Sequence, residues 1–429
     1  MTFTRSTLVA TLALATASAL AMPIVITTEQ AHKPGAPGAA AGPYEMGLDA
    51  LVKGDSVAAE SAFSQALKAN PKSSAAMLGM AELSVKAGKM DEAARWMEKA
   101  VQAQPTDANA HESLGRLRLW SGKAKEGEAS LRRAIDLDPR AVRARMTLAD
   151  ALMGMGRTAD ALPLYEQALS IQGDNGAARY ALGLALLRQG NTARATTELE
   201  TSAQLEPRNP LPRLALARLH ATRRAYPQAL ASVNEALALQ PTLVEALLLK
   251  GDVADLSGKP ELAIEAFKEA AAAAPKAAGP HLKMAMLWHR TGQDGQAAAA
   301  YRQAIERDAQ LAIAYNNLAD VQSKKPETLA EAAASAAQAV KLAPAVADFH
   351  DTLGWIQRAQ GKLPAALVSL EKAASLAPAN GQIAIHLATA QREAGDKAKA
   401  RSTLQSALTR IQDATEQQAV RKLLAELGT

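Results

Sequence analysis

Cysteine is absent from the chain. That removes disulfides, thiol nucleophiles, cysteine-ligated zinc and a lipid-modified cysteine together. Aromatic residues fill only 3% of the 429 positions, which argues against sheets, where aromatic and β-branched side chains concentrate. Charge of one sign is scarce as well. Basic residues number 48 against 43 acidic, the net is +5, and no run of five or six like charges occurs. Nucleic-acid and acidic-lipid surfaces are marked by clustered basic stripes, so the linear sequence points to a mixed-charge solvated surface and to no nucleic-acid partner.

Signatures of chemistry are missing too. There is no phosphate loop, dinucleotide-binding glycine motif, HExxH or nucleophile elbow. The seven histidines never stand three or four residues apart, so no helix offers a paired metal ligand. His111, His281 and His350 share one repeat position and read as structural. Ser369 and Lys372 match S-x-x-K, but Leu370 between them sits at a packing position in mid-helix. Glu112 and Arg116 read as an i,i+4 brace on an exposed helix. The reading is therefore non-enzymatic, with no catalytic residue, cofactor or metal.

What the chain does have is a periodic arrangement of proline, glycine and alanine. Pro71, Pro105 and Pro139 are 34 residues apart, as are Pro207, Pro241 and Pro275 in the same phase; Pro344 and Pro378 continue the series after a shift of one. The vacant points hold Gly173, Ala309 and Gln412. A glycine recurs at Gly54, Gly88, Gly122, Gly156, Gly190, Gly258, Gly292, Gly361 and Gly395. A large apolar residue recurs at Phe63, Met97, Leu131, Tyr165, Phe267 and Tyr301. Glycine can end a first helix by taking φ > 0, and proline stops a second one. Small residues let paired helices approach, and the large residue fills the gap between pairs. One pair cannot bury its own apolar stripe, so pairs must stack.

This 34-residue pattern, with small residues at positions 8, 20 and 27 and proline at 32, resembles the tetratricopeptide repeat. The usual tryptophan at position 4 is absent throughout, and the ninth unit has one extra residue near Lys324-Lys325-Pro326, which predicts a longer inter-helix loop there. The resemblance implies an all-α, right-handed superhelical solenoid of about eleven helix pairs over residues 40–414, closed by a capping helix within 415–429.

It also implies a concave groove lined by first helices, where a partner protein or peptide segment would lie. Its candidates in the first half are Arg116, Trp120, Arg143, Asp150, Tyr180 and Arg218. In the second half they are Asp252, Asn316, Asn317, Asp320, Asp351, Trp355 and Arg358. An asparagine placed like Asn317 pairs with a ligand's backbone amide in some relatives, and a solvated surface asparagine is the plain alternative. Trp355 beside Asp351 and Arg358 reads either as a binding hot spot or as packing between adjacent first helices. The lysine/asparagine clamp for a C-terminal carboxylate is not reproduced.

The N-terminus carries an address. Arg5 precedes the apolar run Leu8 to Ala21, with small residues at A-x-A spacing, which reads as a signal peptide over 1–21. Apolar residues resume at Ile24 to Ile26, so an uncleaved anchor facing the periplasm is the alternative. Residues 22–42 read as a flexible tether. Export to the periplasm of a Gram-negative bacterium is expected. The stretch Asp351 to Leu408 is similar to the closing repeats of exported bacterial tetratricopeptide proteins tied to exopolysaccharide production and the exosortase (PEP-CTERM) system. The expected function is a protein-binding scaffold of the cell envelope. The alternative is a structural or regulatory subunit of a polysaccharide export or protein-sorting machine, engaged through its convex face or ends.

Overall fold

A computed structural model describes residues 42–428. The expected signal segment, and all of the expected tether but Gly42, lie outside the described residues. Among the described residues there are 23 α-helices and no strand. Internal contacts divide the chain into two units, the first ending at Ala225 and the second starting at Tyr226.

The first unit opens with α1 (Pro43–Val52), α2 (Ser56–Ala69), α3 (Ser74–Lys86) and α4 (Met90–Ala103). It continues through α5 (Ala108–Trp120), α6 (Ala124–Leu137), α7 (Val142–Gly154) and α8 (Thr158–Ile171) to α9 (Gly176–Arg188), α10 (Thr192–Leu205) and α11 (Leu211–Thr222). The second unit runs α12 (Tyr226–Leu239), α13 (Val244–Leu256), α14 (Pro260–Ala273), α15 (Ala278–Arg290), α16 (Asp294–Arg307) and α17 (Ala312–Ser323). Then come α18 (Leu329–Leu342), α19 (Ala347–Ala359), α20 (Leu363–Leu376), α21 (Gly381–Glu393), α22 (Lys397–Leu408) and α23 (Ala414–Glu426). Odd helices up to α9, and from α13 to α21, are the first members of pairs, while α11 ends the first unit and α12 opens the second. Within each unit every helix packs on its neighbours in sequence, and α3, α5, α7, α17 and α19 also touch the odd helices on either side. The last helix packs on α21 and α22 and closes the array.

The expected glycine turns form. All nine recurring glycines have φ between +73° and +86°, the region that a Cβ disfavours. The sixth repeat has Arg224 at this place, at φ 58°, the one non-glycine residue with positive φ among the described residues. The ninth repeat solves the turn differently: a 3-10 turn over Pro326–Thr328 takes up its extra residue.

The lattice prolines follow helix ends whose last residue is already extended, as at Asn70 (φ −137°, ψ 92°), the conformation required before proline. Gln172, before Gly173, has nearly the same geometry (φ −132°, ψ 87°). The packing fixes the loop there, and proline reinforces it. The second helices each give the core one large side chain, with Phe63, Met97, Leu131, Tyr165, Leu199, Val233, Phe267, Tyr301, Leu370 and Leu404 all buried. Small residues make room for them: a Cβ on Gly47 would stand 2.5 Å from the Phe63 ring. The ninth repeat has only Ala336 at this position.

Candidate partner-binding face

The first helices present their exposed positions side by side, and their polar groups reach mostly to the next repeat. Two spacings recur. At a spacing of 35, Lys86 Nζ donates to the Leu51 carbonyl (3.4 Å) and Arg188 to the Met153 carbonyl (2.7 Å). Arg290 meets Asp255, and Arg358 meets Glu393 through two nitrogens (2.9 and 2.6 Å), at that same spacing. At a spacing of 31, Arg143 meets Glu112, Lys283 donates to both oxygens of Asp252 (2.7 and 2.9 Å), and His289 lies 3.3 Å from Asp320. Within each unit the face is thus cross-braced from repeat to repeat.

In the first unit, Glu112 is buried and held by Arg143 from the next repeat. This corrects the expected exposure of the Glu112–Arg116 brace: Glu112 is buried, and a longer-range partner reaches it from the next repeat. Burial lowers the Arg116 pKa, and Arg143 pushes the same way while Glu112 opposes. Asp150 accepts a hydrogen bond from the Tyr165 hydroxyl at 2.6 Å, and burial raises the pKa of both groups. Tyr180 and Arg218 are half-buried. Trp120 stands apart, 52% exposed at the end of α5.

In the second unit, burial raises the Asp252 pKa against the pull of Lys283. Asp351 is buried against His386, whose ring stacks on Trp355 with centroids 3.9 Å apart. The Arg358 guanidinium lies 4.2 Å from the Trp355 ring. Of the two readings of Trp355, the geometry is that of packing between adjacent first helices. Asn316 and Asn317 are 9% and 3% exposed. The solvated alternative for Asn317 is therefore corrected, because α17 seats it in the floor of the face. Asn316 Nδ2 donates to Asn317 Oδ1 at 3.3 Å. The remaining acceptor, Asn316 Oδ1, and donor, Asn317 Nδ2, have no hydrogen-bond partner among the described residues. Burial raises the Tyr301 pKa, and the nearby Asn317 side chain opposes this without reaching regular hydrogen-bond geometry.

Position 4 of the repeat, where tryptophan is missing, carries donors instead. His111, Arg179 and His350 each meet the carbonyl six residues earlier, on Pro105 (3.0 Å), Gly173 (2.9 Å) and Pro344 (2.9 Å). These side chains tie the inter-repeat loop to the following helix, so the structural reading of the histidines holds for His111 and His350. At His281 the equivalent carbonyl, on Pro275, is taken by Arg307. Among the described residues no group of three or more His, Asp or Glu side chains could hold a metal ion. No described helix is long and apolar enough to cross a membrane.

A tetratricopeptide-repeat family model matches residues 44–108, 146–210 and 214–278, and a second model under the same description matches 357–427, more than half the chain together. The chain belongs to the tetratricopeptide-repeat family. As a tetratricopeptide-repeat protein it has a scaffold fold that mediates protein–protein interaction, and neither matching model is of a catalytic family. No curated protein matches it. Solved structures that resemble it include MamA, at 25% identity over 38% of this chain and 95% of that one, with TM-score 0.35. YrrB, titled a TPR protein with an unusual peptide-binding site, is 19% identical over 43% of this chain and 95% of that one, with TM-score 0.38. PilF of Pseudomonas aeruginosa is 20% identical over 51% and 97%, with TM-score 0.44. At these TM-scores none bears on what this tetratricopeptide-repeat protein binds.

Proposed function

We propose that the chain is an exported scaffold of the bacterial cell envelope that holds an extended segment of a partner protein against the first-helix face of its second unit. The observation that carries this is the Asn316–Asn317 pair. A buried donor and a buried acceptor both lack partners, and each unmade bond costs about 1–3 kcal/mol. A peptide unit offers one N–H and one C=O, the complement of that pair. Around it, Asp320, Asp351 and Arg358 are engaged with other repeats, so they shape the floor and leave the two amides as the open hydrogen-bonding groups. Export is supported by Arg5 and the apolar run Leu8 to Ala21. The similarity over Asp351 to Leu408 makes polysaccharide-export and sorting proteins the first partners to look for.

The test is a crosslinking pull-down from the envelope fraction with wild type and with Asn316→Ala/Asn317→Ala, sequencing the mature N-terminus alongside. The double variant is expected to fold as wild type and lose its partner. Equal recovery by both proteins overturns the peptide-binding reading. Cytoplasmic partners with an intact Met1 overturn the export reading.

A further inference from the structure

We propose that the edge of the first unit formed by its first-to-second-helix turns docks on an anionic phospholipid bilayer surface. In a row of helix pairs these turns lie along one edge, and contacts between repeats join them. Leu51 to Lys86 links the first and second turns, Glu128 to Arg157 the third and fourth, Met153 to Arg188 the fourth and fifth, and Thr192 to Arg223 the fifth and sixth. The turn segments 52–57, 86–91, 120–125, 154–159, 188–193 and 222–225 carry nine Lys or Arg against Asp55 and Asp91 alone. The loops of the opposite edge (69–74, 103–108, 137–142, 171–176, 205–210) carry three basic residues against four acidic. The equivalent turns of the second unit (256–261, 290–295, 324–329, 359–364, 393–398) carry six against five. The excess therefore belongs to one edge of one unit.

Some of it is neutralised nearby, as Lys53 by Asp49, Lys89 by Glu92 and Arg157 by Asp160. Lys123, Lys125 and Arg224 are exposed and make no ion pair among the described residues. Exposed apolar side chains stand among these cations: Val52, Val57, Trp120 and Met155. Lys and Arg beside a bilayer-facing tryptophan suit an anionic interface, where cations meet headgroups and the indole lies at their level. One tryptophan gives no succession of stacking platforms for a nucleic-acid strand, so the lipid surface is the better fit. The stripe is hidden in the linear sequence because its members come 34 residues apart.

The test is flotation of the full chain with vesicles of phosphatidylcholine, with or without phosphatidylglycerol. Wild type is expected to bind the anionic vesicles more tightly, with salt weakening the difference, and its tryptophan fluorescence to shift blue less in Trp120→Phe. Lys123→Gln/Lys125→Gln/Arg224→Gln should bind anionic vesicles roughly a hundredfold more weakly, since each cation contributes separately. Any binding through the N-terminal apolar run appears equally with phosphatidylcholine alone and survives these substitutions. Equal binding of wild type and triple variant to anionic vesicles overturns the proposal, as does tighter binding of wild type to duplex DNA or polyglutamate at the same salt. The proposal does not rest on the peptide-binding reading, and Asn316→Ala/Asn317→Ala should leave vesicle binding unchanged.

Discussion

His386 Nδ1 lies 2.9 Å from both carboxylate oxygens of Asp351, one repeat earlier, and both side chains are buried. The same imidazole stacks on Trp355 and meets Gln382 through its other nitrogen at 2.7 Å. One ring therefore joins α19 to α21 by hydrogen bonding and by packing. His386→Ala leaves a buried carboxylate without its donor and is expected to cost about 2–3 kcal/mol. Hydrogen exchange should speed up in α19 and α21 while the first unit is unaffected, because repeats stabilise mainly their neighbours. Unchanged protection in α19 would show that the ring does not hold the junction.

Arg224 occupies a turn position that is left-handed in ten of the eleven repeats, counting the nine glycines and itself. An L side chain there costs roughly 1 kcal/mol or more. Arg224→Gly should relieve most of that and raise the denaturation midpoint. A lower midpoint would mean that the arginine side chain stabilises the turn more than its backbone strains it.

Two glycines of one repeat should respond differently to substitution. Gly354→Val forces a side chain against Leu370 Cγ, which would be 2.6 Å from even a Cβ, and overpacking of this kind costs about 1–3 kcal/mol. At Gly361 a Cβ meets open space but φ is 74°, so Gly361→Ala should cost only the conformational penalty, roughly 1 kcal/mol. Urea midpoints compare them; equal losses would contradict the steric account of Gly354.

Burial raises the Asp150 pKa in the folded chain. The unfolded carboxyl ionises at its ordinary value, about 3.9, so the folded state holds its proton to higher pH. Stability from this group is full below that value and declines as pH rises through the raised one. Asp150→Asn keeps an acceptor for the Tyr165 hydroxyl and should stabilise the chain at neutral pH, with the gain vanishing in acid. A gain that grew on acidification would reverse the assigned sign.

The repeat phase, the glycine turns and the buried large residues were legible because each depends on local spacing: a turn needs φ > 0, and a core position needs one apolar group per helix pair. The long turn of the ninth repeat showed itself as one inserted residue. Pairings between repeats were not legible. Glu112 has Arg116 four residues away in sequence, but the contact with Arg143, 31 residues on, shows itself only in three dimensions. Asn317 is a common surface residue type, and nothing in its flanks reports that the fold buries it to 3% exposure. The donors at position 4 could have been found by aligning the units on that column, where His111, Arg179 and His350 stand in place of tryptophan.

The braces at a spacing of 35 have a consequence for how such a chain can change in length. Leu51 with Lys86, Met153 with Arg188, Asp255 with Arg290 and Arg358 with Glu393 use different chemistry for one geometrical join. A deletion or duplication that keeps the period restores this join where a cation of the later copy meets a carbonyl or carboxylate of the earlier one, whereas Asp255 set against Glu393, or Arg358 against Arg290, would face like charges. Copy number can then drift between copies of matching polarity without a new interface being invented, while a single-residue slip must be absorbed inside one turn, as Pro326–Thr328 absorbs it here.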